Sequence, residues 1–310
     1  MHIAHVCPWR VPVSLYGGSE RIVYWQAKAQ AKLGGHRVTL LALPSSSCPG
    51  VEVVAVPREA RFEDYLPPDI EVVNLHGMGW DEAKLPHVIT TQGNAPIELE
   101  FSPHKIFVSR NHAERAHARA FVYNGVDPEE YIFRNTKDDY ILFLSKVSRR
   151  SKGIDVALRL ARRLRFRLVV AGGRRFDLRK TGGLWDSLRG DVHFVGEVGG
   201  RRKAELLAGA RALLFPIQWE EPFGIVVAEA LISGTPVITT PRGSMPELVT
   251  PDVGFLCRDE TEMEDAIHRI GEISPAACRA RALSHFTSDV CAEKYLRYYD
   301  RARNGLALEA

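Results

Sequence analysis

The 310 residues exceed one ordinary domain and suit two, at roughly 100–200 residues each. Apolar residues at 45% and charged residues at 25% exclude disordered and fibrous classes, and the longest apolar stretch, Gly224 to Ile238, is interrupted by Glu229, Gly234 and Pro236, which excludes a membrane span. With 41 Lys and Arg against 38 Asp and Glu, the net charge of +3 is too small to demand a nucleic-acid partner.

Met1 leads directly into an apolar run, with no basic segment followed by an apolar one, so no secretory signal is read. Cys7, Cys48, Cys257, Cys278 and Cys291 are odd in number and form no C-x-x-C pair. That pattern points away from a disulfide framework or thiolate zinc site and toward a reducing compartment, with the cytoplasm as the expected location.

Short β-branched runs alternate with helical patterns along the chain. The first half offers strands at His2–Cys7, Arg37–Ala42, Glu52–Val56, Ile70–Leu75, Val88–Thr91, Lys105–Ser109 and Phe121–Tyr123. A helix pattern follows the first of them, from about Ser19 to Leu33. The second half offers strands at Tyr140–Ser145, Arg167–Ala171, Val192–Val195, Ala212–Phe215 and Pro236–Thr239. Ile154, Ala157, Leu158, Ala161 and Leu164 make a helical stripe, and Cys291, Tyr295, Tyr298, Tyr299 and Ala302 make another. Near-continuous apolar strands separated by helices indicate parallel sheets covered on both faces, an α/β class. The expected division is 1–127, a polar linker at 128–139, a second domain at 140–288 and a terminal helix at 289–310. Two doubly wound halves would face a central cleft, with ligands at the carboxyl ends of the strands.

Gly17 and Gly18 open the first helix, where missing side chains let a phosphate or sugar approach backbone N–H groups. No G-x-G-x-x-G follows any strand, which makes a nicotinamide or flavin enzyme a poor reading. The second domain's first strand runs into Ser145-Lys146 and then Lys152-Gly153, two cations flanking a loop that opens a helix, as a diphosphate would require. From Lys146 to Lys180 there are thirteen Lys or Arg against Asp155 and Asp177. That run reads as the solvated face of a helix and its loops rather than a nucleic-acid footprint. Between Phe215 and Pro236, Glu221 falls in a loop and Glu229 about five residues inside the helix that begins near Phe223 or Gly224. Carboxylates on either side of a helix N-terminus can accept sugar hydroxyls while the free N–H groups hold phosphate.

Glu221-Pro-Phe-Gly-Ile-Val-Val-Ala-Glu229 resembles the E-x7-E motif of the retaining family-four glycosyltransferases, also called glycosyl transferases group 1. Tyr16-Gly17-Gly18, Asn124-Gly-Val-Asp127, the Lys146–Gly153 loop, Val170-Ala-Gly-Gly and Arg242-Gly-Ser-Met-Pro-Glu247 resemble further elements of that family, in its order. The resemblance implies the B-type glycosyltransferase fold, with two Rossmann-like domains and a terminal helix crossing back to the first. It implies a metal-independent retaining transferase without a cofactor, using a nucleoside diphosphate sugar as donor. Lys146 and Lys152 would hold the diphosphate, Glu221 a donor-sugar hydroxyl and Glu229 the ribose. Amides of Gly17 and Gly18, and those around Phe223, Gly224 and Ile225, would close on the donor. The acceptor, a small molecule, a lipid-linked one or a glycan, would meet the loops Val11–Leu15 and Asn94–Ser102. No nucleic acid and at most peripheral membrane contact are expected. Two departures stand out: Lys146 replaces the family's usual Arg, and Gln92 occupies the place of a usual His. His76, ending the preceding strand, is a substitute candidate. A decayed nucleotide-sugar-binding scaffold and a nucleotide-sugar epimerase are the competing readings.

Overall fold

A computed structural model describes residues 1–15, 17–78, 80, 84–94 and 102–308. Tyr16 of the first glycine loop and residues 95–101 of the second acceptor-side loop lie outside the described residues. The chain divides into two compact units. The first comprises residues 1–13, 17–127 and 285–310, and the second comprises residues 14–16 and 128–284.

In the first unit, β1 (His2–Val6), β2 (Arg37–Ala42), β3 (Glu52–Ala55), β4 (Val72–His76), β5 (His87–Thr91) and β6 (Lys105–Phe107) are joined by crossovers that include α1 (Gly18–Lys32). A short helix α2 (Arg110–Arg115) follows β6. Among the described residues these strands form one six-stranded parallel sheet in the order β3-β2-β1-β4-β5-β6. The central strands β1 and β4 are buried along their whole length, the condition for Val- and Ile-rich runs without alternation.

The second unit repeats the plan. Its strands are β7 (Ile141–Leu144), β8 (Leu168–Ala171), β9 (Val192–Gly196), β10 (Ala212–Phe215), β11 (Val237–Thr239) and β12 (Gly254–Leu256). Between them run α3 (Ile154–Leu164), α4 (Leu184–Arg189), α5 (Gly200–Gly209), α6 (Ile225–Ile232) and α7 (Met245–Leu248), followed by α8 (Glu260–Arg269) and α9 (Pro275–His285). The sheet order is β12-β11-β10-β7-β8-β9, also parallel throughout. In each unit the order reverses beside the first strand, between β1 and β4 and between β7 and β10. That is the doubly wound arrangement whose ligands bind at the switch point.

Two expectations are corrected. Phe121–Tyr123 is no strand: Phe121 makes a single bridge to Phe107, because the chain turns away into the Asn124–Asp127 turn. Conversely β12 was not anticipated: Gly254-Phe255-Leu256 opens on a glycine and contains no β-branched residue to mark a strand. Residues 128–139, polar enough to suggest a linker, group with the second unit. Lys137 among them bonds to that unit: its Nζ donates to Ala208 O at 2.9 Å and Thr235 Oγ1 at 3.0 Å.

The chain returns to the first unit at His285, and α10 (Ser288–Arg303) starts from Thr287, whose side chain accepts from Val290 N at 3.2 Å. Gly125 lies so close to this start that a Cβ would fall 2.2 Å from Thr287 O, so the turn admits no side chain there. The stripe Cys291, Tyr295 and Tyr299 is buried with Ile3, Val72, Val88 and Ile106 of the first sheet. Among the described residues no helix is long and apolar enough to cross a membrane.

Candidate functional site

In the second unit the loops after β7 and β10, on either side of the switch point, are locked together. Gln218 N donates to Ser151 O at 2.8 Å. Gly153, with φ +75°, closes the turn before α3, and a Cβ there would lie 1.9 Å from Pro216 O. Both the backbone conformation and the contact require glycine. This fixes Lys152, whose side chain is nearly buried, over the ends of the strands.

Lys152 Nζ lies 2.5 Å from Glu221 Oε2, and Trp219 Nε1–H donates to the same oxygen at 2.8 Å. The ammonium also stands 4.7 Å from the Trp219 ring centre and 5.6 Å from that of Phe215. Glu221 Oε1 takes no hydrogen bond from the described residues. The loop that carries Glu221 is gripped by the Arg242–Glu247 segment: Ser244 N donates to Glu221 O at 3.0 Å, and Ser244 Oγ donates to Phe223 O at 2.8 Å. Gly224, left-handed, is the N-cap of α6, and Ile225 is its first residue. Val227 N donates to Gly224 O at 2.9 Å, and by helix geometry the amides of Ile225 and Val226 before it have no intrahelical acceptor. Lys146 lies just beyond β7 and is half-buried.

Glu229, the fifth residue of α6, is buried at 5% exposure. Its Oε1 accepts from Lys203 Nζ at 2.5 Å and from Tyr131 Oη–H at 2.7 Å, while Lys203 and Tyr131 are 3.3 Å apart. Sequence reasoning missed Lys203 and Tyr131, which are far from Glu229 in the chain. It also missed Trp219, although an aromatic residue two positions before a loop carboxylate was a signal.

In the first unit, Gly17 is the N-cap of α1 and Gly18 its first residue. Gln92 is half-buried just past β5, where its Oε1 accepts from Asn124 Nδ2 at 3.2 Å. Asn124 begins the Asn-Gly-Val-Asp turn, so two motif positions read separately in the sequence meet here.

His76 has a setting other than the one expected of a proton acceptor: it is fully buried and stacked on His5 at 5.2 Å. Gln30 Oε1 can only accept, so His5 Nε2 donates to it at 2.7 Å, leaving His5 Nδ1 to accept from His76 Nε2 at 2.9 Å. Among the described residues, His76 Nδ1 is thereby an unprotonated nitrogen without a partner. Burial lowers His5 to about 4 against the Gln30 bond, and burial with the neighbouring ring holds His76 well below the usual range. Tyr299 Oη of α10 joins the network, accepting from Asn74 Nδ2 at 2.7 Å and Gln26 Nε2 at 3.1 Å. Burial also pushes the Cys7 thiol up to about 11 and Cys48, Cys257, Cys278 and Cys291 up to about 12, so none is poised as a nucleophile.

Two doubly wound units, the second with paired cation and carboxylate at its switch point beside a helix N-terminus, define a B-type glycosyltransferase fold. Residues 129–279, just under half of the chain, match the model of a family described as glycosyl transferases group 1. Over 152 residues the chain is 31% identical to an uncharacterized glycosyltransferase of Methanocaldococcus jannaschii, a match covering 43% of this chain and 38% of that protein. The chain thus spans well under half the length of this curated relative. AviGT4, a glycosyltransferase involved in avilamycin A biosynthesis, has a crystal structure similar to this one. It is 28% identical, with TM-score 0.83 and 98% of each chain covered. The fold is also similar to that of Anabaena HepE in complex with UDP-glucose, at TM-score 0.67 and 15% identity, covering 96% of this chain and 98% of that one.

Proposed function

We propose that the protein transfers a sugar, with retention and without a metal, from a nucleoside diphosphate donor to a hydroxyl acceptor. The observation that carries this is the Lys152–Glu221–Trp219 cluster beside the N-terminus of α6. In the free protein the cation and the carboxylate neutralise each other. A bound diphosphate competes for Lys152 and Lys146, which releases Glu221 to accept a donor-sugar hydroxyl while Trp219 N–H still orients its Oε2. Glu229, held through Oε1 by Lys203 and Tyr131, offers its second oxygen to ribose hydroxyls. In the second unit, amides at Phe223, Gly224 and Ile225 complete the donor contacts.

The bond from the anomeric carbon to the diphosphate oxygen breaks, and a bond from that carbon to the acceptor oxygen forms on the same face. Fixed cations and N–H dipoles stabilise the charge growing on the leaving diphosphate. Gln92 is a neutral amide and His76 a buried ring, so this reading sends the acceptor's proton to the departing phosphate oxygen. The homology and the fold support the transferase class, and the donor half of the chemistry follows from the residues of the second unit. The sugar, the base and the acceptor class, whether small molecule, lipid-linked or glycan, are set by contacts beyond these.

A thermal-shift series with UDP, GDP, ADP and their sugar conjugates, with and without chelator, tests the donor site. A ligand that binds only the folded state raises its apparent stability. We expect one nucleoside diphosphate to raise the Tm regardless of chelator, and Lys152→Ala to abolish that rise while sparing any response to the nucleoside. Silence toward every diphosphate at millimolar concentration, or a chelator-sensitive response, removes the proposal. Turnover of the responding donor sugar to a glycoside, with anomeric configuration read by NMR, separates transfer from epimerisation and from binding alone.

A further inference from the structure

Among the described residues, the three most exposed large apolar side chains are Trp185, Phe176 and Leu188, at 72%, 65% and 58%. All three belong to one small region of the second unit. Helix α4 turns Leu184 and Ser187 inward, where Leu184 packs against the core and Ser187 is buried. Trp185 and Leu188, three apart, therefore share its outer face. A 3-10 turn, Arg175–Arg179, packs against α4 with Leu178 buried. Arg175 folds back onto the carbonyls of Ser187 and Val192, fixing the turn to α4 and leaving Phe176 and Arg179 outward.

The charge around these three residues has one sign. Arg174, Arg179, Lys180 and Arg189 are all exposed. The two acids of the stretch are already engaged: Asp177 accepts from Arg174 N at 2.7 Å, and Asp186 pairs with Arg162 at 2.8 Å. Aromatic and aliphatic side chains held out in water cost free energy unless something covers them, and three of them on two elements packed together mark an interaction surface.

We propose that this face docks on an anionic lipid surface. Trp185, Leu188 and Phe176 enter the boundary between headgroups and acyl chains, while Arg174, Arg179, Lys180 and Arg189 meet lipid phosphates. This is the combination that holds amphipathic segments at negatively charged membranes. A second copy of the chain is a poorer occupant, because a two-fold contact would oppose these cations to themselves. A nucleic acid is poorer too. The Arg179 guanidinium lies 4.1 Å from the Phe176 ring centre and closes that face to a base, and Leu188 has no π-face to offer.

The full chain is floated with phosphatidylcholine vesicles and with vesicles also containing phosphatidylglycerol. It should float only with the second, and about 0.5 M salt should release it by shortening the screening length. Trp185→Ala/Leu188→Ala should lower the bound fraction about tenfold through lost apolar insertion. Arg179→Gln/Lys180→Gln should weaken binding to phosphatidylglycerol vesicles as well. Because these side chains are solvent-exposed, the Tm of each variant in buffer should match the parent's, which separates lost docking from lost fold. Failure to float, equal binding to both vesicles, or binding unchanged in the Trp185/Leu188 variant overturns the proposal. So does light scattering that shows a dimer abolished by that variant, or oligonucleotide binding abolished by it.

Discussion

The two units share one strand order yet fill their switch points with opposite chemistry. Between β7 and β10 the strand ends carry Lys152 and Glu221 as an ion pair, left partly accessible and flanked by Trp219. Between β1 and β4 the strands themselves carry His5, His76 and Asn74, fully buried, neutral and tied to Tyr299 of α10. The same backbone plan thus supports a charged end suited to a diphosphate and a neutral one sealed as structure. Topology says where a ligand could bind, and side-chain charge and burial say whether the place is open to one.

That contrast can be broken from either side. The largest effect is expected at Lys203→Met, which strands the buried Glu229 carboxylate and should cost about 3–5 kcal/mol in urea unfolding. Glu229→Gln in the same chain should recover much of that loss, because no charge is then left unpaired. Next, Glu221→Gln should lower transfer turnover about 100-fold or more if the carboxylate acts on the transition state, with little change in donor-induced Tm shift. A change in donor affinity equal to the change in turnover would instead make Glu221 a simple binding group.

The neutral end should respond to acid. His5 is held near 4 when folded and titrates near its ordinary value when unfolded, so the unfolded chain binds more protons as pH falls below about 6.5. Stability is therefore fully present at neutral pH and falls as pH drops from about 6.5 toward 4. The loss by pH 5 should be roughly 2 kcal/mol from His5 alone. Urea midpoints of the parent and of His5→Gln across this range check it, the variant losing less. Smallest, Tyr299→Phe should cost about 1–2 kcal/mol by leaving the Asn74 and Gln26 amide donors without an acceptor. An unchanged midpoint would show that these amides find other partners.

Much of this contrast was legible in the sequence. The central strands announced themselves as apolar runs, and Glu221, with Pro222 and Gly224 beside it, marked a loop entering a helix. The stripe Cys291, Tyr295 and Tyr299 signalled a helix with one buried face. What escaped was long-range pairing. Nothing near Glu229 pointed to Tyr131 or Lys203, 98 and 26 positions away, because a buried ion pair leaves no local periodicity. His76 read as available at a strand end, since only the fold brings His5 against it. Phe176 was hidden inside the basic run, where charge counting gave a solvated face, and Trp185 and Leu188 follow just beyond it, where nothing in the sequence told that their side chains are exposed.

The return of the chain at His285 has a bearing on how the molecule is made. The second unit, apart from residues 14–16, is one continuous stretch, 128–284, and can pack as soon as that stretch has left the ribosome. The first unit is made first but finished last. Until α10 emerges, Ile3, Val72, Val88 and Ile106 lack the Cys291, Tyr295 and Tyr299 face that covers them. The nascent first unit therefore carries an uncovered apolar sheet face throughout synthesis of the second, and this is the interval in which a chaperone would find it.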